Sequence, residues 1–193
     1  MSALIKTIKT ASKPRLSFKI QTLYCVGAIV AAVVIPQIFH MFGRISGLGT
    51  ALGETFLPMH LPIILVGLLA GPYAGAVAGM LSPLCSYLLS GMPGAVMLPF
   101  MMIELCAYGL FSGLLRNVKM PTVLKILAVQ ISGRLVRAAA ILFAIYALNN
   151  QVLNAAIIYN SILTGAFGIC LQLVLLPLIV YRVENISGKS NEQ

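Results

Sequence analysis

Aspartate is missing from this sequence, and acid of any kind is scarce: Glu54, Glu104, Glu184 and Glu192 are the whole complement. The two histidines, His40 and His60, share no helical spacing, so a hydrolytic metal centre has too few ligands to form. Four cysteines stand singly, Cys25, Cys85, Cys106 and Cys170, with no C-x-x-C pair. They read as small buried hydrophobes, not as disulfides or metal ligands. No Gly-x-x-x-x-Gly-Lys-Ser/Thr segment occurs, so the chain carries no recognisable phosphate loop of its own. Charge is scarce altogether, at 9% of residues, where a soluble domain carries about 25%.

What remains is apolar: 60% of the 193 residues are hydrophobic. The composition is that of a one-domain, polytopic membrane protein. The net charge of +9 does not mark a nucleic-acid binder, because the bases form no folded basic face with interleaved aromatics. Ten of the thirteen bases fall in a tail (Lys6, Lys9, Lys13, Arg15, Lys19), one loop (Arg116, Lys119, Lys125) and the C-terminal end (Arg182, Lys189). That is the bias of cytoplasmic segments.

Residues 1–19 form a basic tail, broken by Pro14, that either lies on an anionic leaflet or is disordered. The first apolar run, Ile20 to Phe39, lacks a small-residue cleavage site and reads as a retained span. Gly27/Ala31 and Ala28/Ala32 lie four apart on it, the spacing that admits a second helix backbone. His40 to Phe56 is Gly-rich and reads as a long outward loop, the kind that often serves as a lid. The second span, Leu57 to Ala70, is about 21 Å long, short of a bilayer core of roughly 30 Å. Its first turn holds Pro58 and Pro62, and such a short helix is tolerated where its end faces protein or a cavity.

Further spans follow at Tyr73–Ser90, Ala95–Leu115, Ile126–Leu148 and Leu153–Tyr181. Gly67, Gly71, Gly75 and Gly79 recur every four residues and read as packing glycines. The expected fold is therefore all-α: a six-helix transmembrane bundle over residues 20–182, with both termini, 1–19 and 183–193, cytoplasmic.

Glu104 is the lone charge between Val96 and Leu115. A carboxylate in lipid costs roughly 2.5 kcal/mol or more and needs a partner. Arg134 and Arg137 are the bases at similar depth, with Glu104 and Arg134 each about 14 Å inward from their helix ends. Gln130, Arg134 and Arg137 share one face of the fifth span, Glu104 and Tyr108 one face of the fourth. Asn160, Thr164, Gly168 and Gln172 line up on the sixth. Two readings stand at this point: an ion pair that only locks the bundle, or a ligand site. One carboxylate against two guanidinium groups leaves a spare arginine for an anionic or carbonyl group of a ligand. His60 beside the flexible Met59 suits a partly apolar ligand, or is an interface histidine.

The run Leu57-Pro58-Met59-His60-Leu61-Pro62-Ile63, with Gly71-Pro72-Tyr73-Ala74-Gly75 and Ser90-Gly91-Met92-Pro93, resembles the substrate-binding S components of energy-coupling factor (ECF) vitamin transporters. Met102-Ile103-Glu104-Leu105-Cys106-Ala107-Tyr108-Gly109 and Gly133-Arg134-Leu135-Val136 extend the likeness over nearly the whole chain. The resemblance implies a plasma-membrane binding subunit, not an enzyme and with no cofactor. It implies a water-soluble vitamin or precursor bound beneath the first loop, pantothenate-, pyridoxine- or hydroxymethylpyrimidine-like. His60, Glu104, Tyr108, Arg134, Arg137 and Asn160 are the candidate contacts. The implied partners are a transmembrane coupling subunit, docked through Ala28 and Ala32 on the first span, and two ATPase subunits. A self-sufficient carrier would show an inverted repeat with paired broken helices, and only one short helix is visible. An intramembrane enzyme would need a nucleophile linked to a base, which the motifs do not supply.

Overall fold

The computed structural model describes residues 16–190, so the basic tail expected over 1–19 lies almost wholly outside the described residues. The described chain is helical: α1 (Phe18–Ile45), α2 (Ala51–Phe56), α3 (His60–Ala70), α4 (Pro72–Ser90), α5 (Leu98–Leu114), α6 (Thr122–Tyr146) and α7 (Ala156–Ser190). Six segments are long and apolar enough to cross a membrane, with α2 and α3 joined as one of them over Ala51–Ala70. The first expected span is longer than expected, and the expected loop correspondingly shorter. α1 runs on past Phe39 to Ile45, and a six-residue helix, α2, occupies part of the Gly-rich stretch. Only residues 46–50 remain between them, closed by the Gly49 amide donating to the Gly43 carbonyl at 3.0 Å.

The second span is broken where the sequence places Leu57-Pro58-Met59. Leu57 adopts the left-handed conformation (φ 49°, ψ 49°), unusual for a branched side chain and costly unless neighbours hold it. They do. The Leu57 carbonyl accepts from Gln172 Nε2 at 3.1 Å, and Gln172 Oε1 accepts from Gln130 Nε2 at 3.0 Å. Both glutamines are buried, so a relay from α6 through α7 holds a backbone carbonyl at the helix break. The two polar residues expected to face inward thus serve the backbone of the broken span.

α5 is the central helix, packed on α4 most extensively and also on α3 and α6, while α1 covers α3 and α4. Ile63, Ile64, Leu105, Ile126, Val129 and Leu176 are wholly buried in the core between these helices. The packing glycines are real close approaches. A Cβ built on Gly75 would run into the backbone of Gly109, and one on Gly109 into that of Gly75. Gly79 meets the Leu105 backbone in the same way, and Gly67 faces Ser112 and Gly109. Gly71 is different: at φ +110° it forms the reversal into α4.

Ala28 and Ala32 face inward. They are 8% and 0% exposed, in the core formed with α3 and α4, so this register of α1 is already filled by the chain's own helices. These two alanines, the expected docking residues, are spent on internal packing: four-residue spacing marks close packing but not which side of the helix it serves. Gly27, with nothing within 4 Å of a built Cβ, lies on the outer side with Leu23, Val26, Val30 and Val34.

Gly109→Val should force α4 and α5 apart and lower stability by about 1–3 kcal/mol, the usual cost of overpacking. Gly27→Ala should leave stability within about 0.5 kcal/mol. Thermal unfolding in detergent compares the two, and equal midpoints would refute the close contact.

Candidate functional site

Breaking the second span opens a cavity of about 400 Å³, within the range of small-molecule pockets. Its walls come from α1 (Pro36, His40), the 50–60 segment, Ser86 of α4, the turn at Met92-Pro93-Gly94, the near ends of α5 and α7, and the middle of α6 (Arg134, Arg137). Four methionines, Met59, Met92, Met97 and Met101, supply much of the apolar lining. At its mouth Glu54 is exposed and accepts from Thr50 Oγ1 at 3.0 Å.

The polar floor is built around Glu104, which is 0% exposed. Oε2 accepts from Arg137 Nη1 at 2.9 Å, and Oε1 accepts from the Tyr108 hydroxyl at 3.0 Å. Arg134 Nε stands 3.5 Å from Oε1, and His60 Nε2 stands 4.0 Å away. Neither contact meets hydrogen-bond geometry, so both nitrogens lack a hydrogen-bond partner. The Arg134 guanidinium is held instead by Nη1 donating to the Ser161 carbonyl of α7 at 3.1 Å. Arg134 Nη2, Arg137 Nε and His60 Nδ1 are likewise buried without partners.

Small residues make this arrangement possible. A Cβ on Gly133 would strike the Tyr108 ring, so the glycine lets that ring lie flat against α6. A Cβ on Gly165 would sit 2.8 Å from Arg134 Nη2 and 2.9 Å from Leu57 Cδ1. The His60 and Tyr108 rings stack obliquely, with centroids 5.2 Å apart. Side chains from α3, α5 and α6 therefore converge on one carboxylate, with α7 holding Arg134 from behind.

Of the candidate contacts, His60, Arg134, Arg137 and Asn160 line the cavity. Glu104 and Tyr108 lie behind them, fully buried. Their place is to aim the arginines, a distinction that helical spacing does not carry. Sequence reasoning missed the three other cavity methionines and Ser161, whose role is played by a backbone carbonyl and so leaves no mark on residue type. His40 and Gly53 also line the wall, with the Gly53 Cα close to the His40 ring. Among the described residues, no three His, Cys, Asp or Glu side chains converge to hold a metal ion.

Glu104→Gln leaves two buried guanidinium groups facing each other with no counter-charge. It should cost about 3–5 kcal/mol, the range for stranding a buried charge. Arg134→Gln keeps the Glu104–Arg137 pair and should cost less than half of that. Unfolding of the two variants in the same detergent tests the order, and equal losses would contradict it.

With this geometry in place, comparison with known proteins is direct. The family model "ECF transporter, substrate-specific component" matches residues 22–180. No curated protein and no solved structure matches the chain. The match spans all six membrane-crossing segments, including the broken second one and the arginine-bearing α6. The chain belongs to the substrate-specific components of ECF transporters, and is a multi-pass plasma-membrane protein that binds substrate for an importer and is not an enzyme.

Proposed function

We propose that the cavity beneath residues 50–60 is the binding site for a water-soluble vitamin or vitamin precursor, of the pantothenate, pyridoxine or hydroxymethylpyrimidine kind. The observation that carries this reading is the pairing of a preformed cavity with unpartnered buried donors. His60 is 3% exposed and lines the cavity, and neither ring nitrogen makes a well-formed hydrogen bond, with the Glu104 carboxylate 4.0 Å from Nε2 and the Leu57 backbone nearby. A buried polar group left without a partner costs about 1–3 kcal/mol. A ligand that supplies the missing partners recovers that cost on binding.

The cavity lies at the end of the bundle formed by residues 46–59, 91–97 and 147–155, opposite the basic loop at 116–125. The distribution of bases puts that basic end in the cytoplasm. The cavity then faces outward, residues 20–182 form the binding domain, and both flanking segments are cytoplasmic. Substrate enters past the 46–59 segment, and α2 sits over it.

Release requires a partner, because nothing in this chain hydrolyses ATP. The proposed partners are a transmembrane coupling subunit and two ATPase subunits, with α1 as the docking helix. The outer register of α1, Gly27 and Ala31 flanked by Leu23, Val30 and Val34, replaces Ala28 and Ala32 in that role. Gly27 offers a smooth surface for the approach of another helix.

In proteoliposomes, the protein alone should bind substrate but not accumulate it when ATP is added. Adding the coupling subunit and ATPases should produce uptake. Gly27→Leu with Ala31→Leu should reduce that uptake at least about tenfold, equivalent to about 1.4 kcal/mol, while binding by the isolated subunit is unchanged. Ala28→Leu should instead lower stability, as overpacking of a filled core does. Concentrative uptake by the pure subunit would defeat the proposal, and normal uptake by the Gly27/Ala31 variant would remove α1 from the docking face.

A further inference from the structure

The charges at the floor of the cavity do not balance, Glu54 standing apart at the exposed mouth. Glu104 contributes one negative charge at its floor and Arg134 and Arg137 contribute two positive ones. Whatever the state of His60, the surplus is at least one positive charge. Arg137 is the cation committed to Glu104, through the 2.9 Å contact. Arg134 is the spare. Its Nε stands 3.5 Å from the carboxylate without hydrogen-bonding to it, its Nη2 has no hydrogen-bond partner, and Nη1 donates to a neutral carbonyl. A surplus positive charge within the membrane is costly, so two guanidinium groups sharing one carboxylate favour a further anion. Both arginine side chains line the cavity and keep 11% and 13% of their surface open.

Resting on the reading of this cavity as the substrate site, we infer that the substrate is a small organic monocarboxylate, its carboxylate received by Arg134 and Arg137 and its less polar body lying among the cavity methionines. One added negative charge brings the floor to neutrality, and the planar fork of a guanidinium matches a carboxylate. A phosphate dianion would overshoot and leave a negative surplus in the membrane interior. A cationic ligand would add to the positive surplus. A neutral one would leave it standing. Glu54, exposed at the mouth and engaged with Thr50, opposes a second anionic group at the other end of the molecule. Met59, Met97 and Met101 present polarizable, adaptable surface to the body of the ligand. His60 supplies one donor and one acceptor to a hydroxyl or amide on that body.

The experiment uses the whole protein purified in mild detergent. Small molecules released on denaturation are identified by mass spectrometry, with methyl esterification to count carboxyl groups. The same protein is then titrated with matched pairs: pantothenate and pantothenol, nicotinate and nicotinamide, biotin and its primary amide. The expected result is that every molecule released carries one carboxyl group, and that in any pair that binds the acid binds at least about tenfold tighter than its neutral partner. Arg134→Gln leaves a balanced Glu104–Arg137 pair, so it should fold and bind with that preference abolished. Arg134→Lys should restore part of it. A neutral, cationic or phosphorylated molecule released from the protein, or a neutral partner that binds as tightly as its acid, overturns the carboxylate while leaving the binding-subunit reading intact, as does a folded Arg134→Gln protein that still prefers the acid. Nothing released and no member of any pair bound would overturn both.

Discussion

The contact on which the rest of the site depends is that between the Glu104 carboxylate and the guanidinium of Arg137. It joins α5 to α6 inside a membrane, where a lone charge of either sign is expensive. Tyr108, one turn below on α5, binds the other carboxylate oxygen. Arg134, one turn below Arg137 on α6, is drawn to the same group without bonding to it. The result is a polar floor whose members have no good alternative position. A pre-organised floor of this kind loses little entropy when a ligand arrives.

That floor is useful only because the second span is broken above it. Leu57, Pro58 and Met59, the residues of the break, line the cavity directly. The break leaves Leu57 in a left-handed conformation, with its carbonyl held by the Gln172–Gln130 relay. Gly165 and Gly168 on α7 allow the broken segment to approach closely, since a Cβ on Gly168 would meet the backbone of Thr55 and Phe56. Phe56 in turn packs edge-on against Phe167 and obliquely on Phe39. Lid, hinge and floor are therefore tied through α7. The physical consequence is coupling: a movement of α7 relative to α6 would alter both the Leu57 anchor and the Arg134–Ser161 contact.

On the other side of the molecule, the glycine approaches between α4 and α5 create a rigid two-helix slab. α1 lies across it, with one register of small residues spent on that contact and another left outward. A binding subunit that must hold its ligand firmly and still meet a partner has its rigid packing and its free helix face on the same element.

Much of this was legible in the residues. Six apolar runs separated by Gly, Pro and basic segments specify six spans, because lipid leaves no alternative to helices for so apolar a chain. A solitary Glu104 with Arg134 and Arg137 at matching depth specifies a buried charge cluster, because no other partner lies at that level. Tertiary structure alone decided the rest. Spacing cannot say that Ala28 and Ala32 face inward and Gly27 outward, since both registers repeat every four residues. Nor can it say which arginine Glu104 holds and which it leaves spare, or that Glu104 itself is shut behind the cavity wall. The local pattern of a helix defines its faces, but which face meets which neighbour depends on how all six spans pack together.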